Sequence, residues 1–313
     1  AVLGDLAMGF FIGGLIFAPL CVWEIRMSPN LHYRLYGFRS SPFINHLRFG
    51  GYRPSVFLHS GLAVGAWLSA ATICAVALSM SRVERMFMGI QSWLWTSGLV
   101  FVAILSKAMG ALVLLFGCIG VLVASRVTRT KLLLYLMVLS PLAYVALRVP
   151  GIWNGEPITS LAEMIDEGRA ASFEFRLENE NLLAEKALRQ PLFGWGGWGR
   201  SRVYNDMGRD ITVTDGFWII AFGQHGFVGL LASMGFQIIP AFLAVSRMPS
   251  KAVGAGKYWP AAGLTCVLFI YAADNLLNAM PNPVFVMAAG ALVSWAVLEG
   301  RRQKRAPVRR REA

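Results

Sequence analysis

Apolar residues gather along this chain in eight blocks, roughly 2–23, 55–79, 89–105, 108–125, 131–149, 214–246, 259–279 and 282–299. The blocks run apolar instead of alternating, which excludes the strands of an outer-membrane barrel. A helix needs about 20 such residues to cross a hydrocarbon core of roughly 30 Å. The pattern therefore predicts an all-α fold: a polytopic helical membrane protein with about eight transmembrane helices. Two long polar segments interrupt it, Glu24–Pro54 and Pro150–Thr214. The expected organisation is helices 1–5 over 1–149 with a basic outer loop at 24–54, then a large extracytoplasmic loop over 150–213 carrying short helices. Helices 6–8 follow over 214–299, and a basic tail over 300–313. No internal repeat is visible, and with it none of the two-fold similarity common in transporters.

Composition sharpens this. The 313 residues are 56% hydrophobic and 15% charged, with a mean hydropathy of +0.55, whereas soluble domains carry about 25% charged residues. A cytosolic enzyme, a disulfide scaffold and a disordered chain are thereby excluded. The net charge of +12 would suggest nucleic acid if it formed a patch on a folded domain. Half of it sits in Arg301–Ala313, with seven basic residues against one acid, the expected cytoplasmic flank of a last span. Membrane lipid is the indicated partner, and nucleic acid is not. Cys21, Cys74, Cys118 and Cys266 all fall inside apolar blocks and read as small buried hydrophobes. With the histidines scattered too, no metal site and no cofactor are expected. No charged leader with a cleavage site is visible, so no signal peptide is expected.

The tail places the C-terminus in the cytoplasm, and parity then puts Ser81–Arg85, Arg126–Lys131 and Ser246–Lys257 inside, each with at least two basic residues. Glu24–Pro54 is left outside although it carries Arg26, Arg34, Arg39, Arg48 and Arg53 against Glu24 alone. Two readings stand: guanidinium groups held there for an anionic headgroup or diphosphate, or a solvated loop.

The second polar segment holds eleven of the seventeen acids, counting Asp215 at its end. Leu161–Gln190 has helical character, with amphipathic spacing in Leu177, Leu182, Leu183 and Leu188, and Pro191 ends it. Then comes Pro191-Leu-Phe-Gly-Trp-Gly-Gly-Trp-Gly-Arg200. Its glycines suit a tight turn; Trp195 and Trp198 suit either a sugar-stacking surface or an aromatic anchor at headgroup level. Arg200 and Arg202 follow directly and are candidates for binding. Asp215 falls where the cap of the sixth span is expected, with Gly226 and Gly229 further on to allow close helix approach. His225 beside them reads as an interior residue. Asp274, with Asn275 and Asn278, lies near the outer end of the seventh span, either as a functional acid or paired with an arginine.

The run Pro191-Leu-Phe-Gly-Trp-Gly, followed by Asp215-Gly216, nine residues, Gly226, two residues and Gly229, resembles the O-antigen ligase and O-antigen polymerase superfamily. The resemblance covers about 130–245; elsewhere it is one of hydropathy only. It implies a metal-independent glycosyltransferase of the bacterial inner membrane. Such an enzyme moves a glycan from a polyprenyl diphosphate carrier to the hydroxyl of a glycan or lipid acceptor, among other polysaccharide assembly proteins. Arg176 resembles the family arginine ahead of the turn, and Asp215 stands where the family has a catalytic histidine. That departure exchanges a side chain titrating near 6.5 for one titrating near 3.9, so the base becomes weaker and arginine neutralisation of a departing diphosphate the larger effect. Asp215 and Arg176 are the catalytic candidates; Arg200, Arg202, Trp195, Trp198, Arg53 and Asp274 are the substrate-binding ones. A transporter of the same lipid-linked saccharide is the alternative, and a scaffold for polysaccharide assembly a third.

Overall fold

A computed structural model describes residues 2–39, 41–48, 50–81, 83, 86–155, 167–253 and 255–305, with backbone only at 167–170, 172 and 305. The tail beyond 305, Arg85 of the connection Ser81–Arg85, and the start of the helix expected from Leu161 lie outside these residues.

The apolar blocks become the helices α1 (Val2–Met27), α3 (Gly61–Ser81), α4 (Ser92–Leu105), α5 (Met109–Thr128) and α6 (Leu132–Arg148). After the second polar segment come α8 (Phe217–Arg247), α9 (Trp259–Leu277) and α10 (Pro283–Arg305). Two helices come from the polar segments, α2 (Leu31–Tyr36) and α7 (Glu167–Leu188). Six of the described helices are long and apolar enough to cross a membrane: α1, α3, α5, α8, α9 and α10. By length and composition they are those of a helical membrane protein. α4 and α6 fall within expected spans but have only 14 and 17 residues. At 1.5 Å per residue, α4 is about 21 Å long, short of a core of roughly 30 Å.

The chain divides into two compact units, 1–138 with 239–274 and 282–313, and 139–238 with 275–281. In the first, α3 is the central element. It is apolar all round, and 78% of its apolar window is buried, against 28% for α1, as expected of a helix with neighbours on every side. It packs on α1, α4 and α5. Small residues set these distances: a Cβ on Gly65 would lie 2.2 Å from that of Ala108. One turn on, the Ser69 hydroxyl donates to the Ala111 carbonyl at 3.1 Å. All four cysteines are buried and free.

Between α1 and α3 the basic loop folds on one acid. Glu24 is fully buried, and its carboxylate accepts the backbone N–H groups of Leu31 (2.8 Å), Ser55 (2.8 Å) and Val56 (2.7 Å). Three such bonds offset the cost of removing the charge from water. A two-residue hairpin, Leu47–Arg48 with Gly51–Tyr52, completes the loop.

In the second unit, α7 runs beside the extended segment that leads into α8. α7 stops at Leu188, two residues before its expected end and three before Pro191, which cannot continue a helix.

Candidate functional site

Arg176, Asn179 and Glu180 stand at i, i+3 and i+4 on α7 and therefore share a face. Each meets a residue of the segment 213–218. The Arg176 Nε lies 3.3 Å from the Asp215 carboxylate, the Val213 N–H donates to the Asn179 side-chain oxygen at 2.7 Å, and the Trp218 indole N–H donates to Glu180 at 3.2 Å. One polar helix face thus reads off the approach to α8. The Arg176 Nη1 also donates to the Leu277 carbonyl at 3.4 Å, which fixes the guanidinium plane.

Behind this face lies a buried ion pair, Arg148 with Glu180 at 3.2 Å, their side chains 1% and 6% exposed. Glu180 also accepts the Tyr144 hydroxyl at 2.8 Å. Arg148 donates to the carbonyls of Leu177 at 3.0 Å and Trp153 at 3.1 Å. Burial pushes the Glu180 carboxyl above its ordinary range, while Tyr144, Arg148 and Trp218 pull it back. Sequence reasoning missed this cluster, whose members are up to 74 positions apart (144 to 218).

Asp215 is not the cap of α8. The helix begins at Phe217, and the first bond, from the Ile220 N–H at 3.3 Å, goes to the Gly216 carbonyl. Asp215 stands one residue earlier, with its carboxylate turned to Arg176.

The turn Pro191–Gly196 has a definite seat. Gly226, at φ 61° and ψ −158°, interrupts α8; this backbone region is essentially reserved for glycine. At the interruption, the Phe227 and Val228 N–H groups donate not to Gly223 and Gln224 but to the carbonyls of Pro191 (2.7 Å) and Leu192 (3.3 Å). The freed carbonyls of Gly223 and Gln224 accept Trp195 and Gly196 N–H, both at 2.9 Å. Turn and helix exchange two bonds for two. The approach demands glycine on both sides: a Cβ on Gly194 would lie 2.6 Å from the His225 backbone nitrogen, and one on Gly226 would lie 2.4 Å from the Leu192 carbonyl. The close approach expected at Gly226 and Gly229 is therefore not helix on helix. The kink also brings the His225 Cβ to 2.2 Å from where a Gly229 Cβ would lie. His225 itself is exposed at the kink, not interior.

Around this seat, the Trp195 indole donates to the Lys186 carbonyl at 2.8 Å, and the Lys186 ammonium lies 5.2 Å from the Trp195 ring. Trp198 is fully exposed. Arg200 is exposed, with one bond to the Gly197 carbonyl at 3.3 Å. Arg202 pairs with Asp210 and donates to Thr214 at 3.1 Å, which braces the segment just before Asp215. Arg53 and Asp274 belong to the first unit, Arg53 buried against Gly61. The next residue, Asn275, is buried in the second unit, where it bonds Gln237 at 3.0 Å.

Among the predicted residues, then, Arg176 and Asp215 come together. They are 30% and 39% exposed, so a ligand can reach both. Their chemistry is a donor fork for phosphoryl oxygens beside a proton acceptor. Comparison with known proteins brings no match, whether to a family model, a curated protein or a solved structure.

Proposed function

We propose that this chain is a membrane glycosyltransferase of the O-antigen ligase or polymerase type, acting at the outer face of a bacterial inner membrane. In this reading the short helices α4 and α6 enter the membrane beside the six longer ones, and the C-terminus is cytoplasmic. The observation that carries this reading is the reachable Arg176–Asp215 pair, one helical stretch of α8 ahead of the break at Gly226 where the Gly194 turn is seated. The acceptor hydroxyl oxygen attacks the anomeric carbon, and the bond from that carbon to the diphosphate oxygen breaks. The diphosphate leaves with the electron pair and the hydroxyl proton passes to Asp215. Arg176 neutralises the departing charge, the larger contribution when the leaving group is already good. Trp198 and Trp195 offer ring faces to sugar, and Arg200 offers a further cation. No metal or cofactor takes part.

α8 fits this placement. After the break at Gly226 the stretch 227–247 is about 31 Å long, enough by itself for a core of roughly 30 Å. The joint then lies at the membrane edge.

A transporter of the same lipid-linked saccharide is the second reading, favoured by the interrupted helix, since broken helices line transport sites. Against it, the Phe227 and Val228 N–H groups and the Gly223 and Gln224 carbonyls are already satisfied by the turn.

The test is glycan transfer in membranes supplied with a polyprenyl-diphosphate-linked glycan. Arg176→Ala and Asp215→Asn should each lower transfer at least 100-fold at normal protein level. Wild-type transfer by both variants, or coupled flux without transfer in proteoliposomes, would overturn the assignment.

A further inference from the structure

Residues 25–60 contain five arginines and no aspartate or glutamate. The adjoining acid, Glu24, is fully buried and committed to three backbone N–H groups, so the loop itself exposes no carboxylate to offset its charge. α1 and α3 on either side are both long enough to cross a membrane, which sets the loop between them at headgroup level.

Within this loop is a small cleft lined by His32, Tyr33, Arg39, Ser41, His46 and Ser55. Its polar lining offers hydroxyl, imidazole and guanidinium groups and no acid. The Arg39 guanidinium is held at the rim by two rings, 5.7 Å from the centre of Tyr33 and 5.2 Å from that of Phe43. His46 is 95% buried, as its 5% exposure implies. Its Nε2 lies 2.8 Å from the Ser41 hydroxyl, and its Nδ1 is buried without a hydrogen-bond partner. With the Nε2–H donating to the Ser41 oxygen, the serine keeps its own proton to offer an acceptor in the cleft. Beside the cleft, Leu35, Phe38 and Ile44 are 62%, 60% and 69% exposed. Cations interleaved with exposed apolar side chains are the signature of a surface that rests in the headgroup layer.

We propose that this cleft binds the phosphoryl group of an anionic phospholipid. Arg39 and Ser41 donate to the phosphoryl oxygens, His46 orients the Ser41 hydroxyl, and Leu35, Phe38 and Ile44 rest among the upper acyl carbons. The site belongs to the first unit and stands or falls independently of the transferase reading.

Native mass spectrometry of the purified full chain, offered equal amounts of phosphatidylglycerol and phosphatidylcholine, tests it. The wild type should retain phosphatidylglycerol with about tenfold preference. Arg39→Gln and Ser41→Ala should each cut that preference at least threefold, with elution volume and melting temperature unchanged. Ser41→Ala leaves the charge intact, so wild-type preference in that variant, with loss only in Arg39→Gln, would mark diffuse attraction and overturn the site. Displacement of the lipid by millimolar inorganic phosphate would overturn the headgroup assignment in favour of a free anion. Equal retention of both lipids by the wild type would overturn it outright.

Discussion

The two units hold together by different means. Around α3 the contacts are those of shape: glycine, alanine and serine let backbones approach, with Gly65 set against Ala108. The polar bonds that occur there are mostly between neutral groups, such as Ser69 to Ala111 and Ser79 with Thr96, with Arg126 on the Met80 carbonyl as a charged exception. Around α7 the contacts are directional and often charged: Arg148 with Glu180, Arg176 with Asp215, Asn179 with Val213, and the bond exchange at Gly226. Packing by shape tolerates small shifts in register, whereas hydrogen bonds with fixed directions specify one arrangement. The second unit is the one able to hold a carboxylate and a guanidinium at a set distance, and the candidate chemistry lies there.

This contrast can be broken most severely at Arg148. Arg148→Ala leaves the Glu180 carboxylate buried without its counter-charge, a loss of about 3–5 kcal/mol, to be read as a lower melting temperature of the solubilised protein. Replacing both members, Arg148→Met with Glu180→Leu, should recover most of it. A loss below about 1 kcal/mol for the single variant, the level of an exposed pair, would show that polar bonds do not hold this unit.

A smaller effect is expected at the joint. Gly226→Ala forces an L-residue into a glycine conformation, at about 1–3 kcal/mol, and pushes the turn off α8. Limited proteolysis should then cut within 197–210 several times faster than in the wild type; an unchanged pattern would mean the turn is held elsewhere.

The mildest expectation concerns pH. Burial acts to raise the Asp210 carboxyl, but hydrogen bonds from Arg202 and Thr212 outweigh it and hold the group below its usual range. A depressed carboxyl stabilises the fold fully above its unfolded value, near 3.9, and that contribution is lost as pH falls through the folded value. Hydrogen exchange at Thr212, whose N–H donates to Asp210, should accelerate below about pH 4 once its intrinsic rate is corrected for. No acceleration would remove Asp210 from the support of the segment 211–214.

The apolar helices were legible, six of the eight at a length that can cross a membrane, because apolar runs and their polar interruptions are local properties of the chain. So was α7, though its buried stripe was misread in part. Leu177 and Leu183 are buried, but Leu182 and Leu188 are exposed. The face also includes Glu180, which a hydrophobicity pattern passes over because its burial depends on Arg148, 32 residues earlier. The role of Asp215 shifted for a related reason: the competition between capping and pairing with Arg176 is decided by tertiary placement, which spacing does not carry. The glycine spacing from Gly194 to Gly226 was visible as a pattern. Its meaning, a loop seated in an interrupted helix, was not, because it resides in backbone bonds.

That seat constrains the chain unevenly. Because donors and acceptors are traded one for one at Gly226, a slip of the loop by a single position would strand all four groups at once, so Pro191–Gly196 can be neither lengthened nor shortened. The exposed tip Asp206–Arg209 has no such obligation to α8's interruption. Inserted residues, reporter tags or grafted epitopes belong there, where the scaffold would carry them without losing its own alignment.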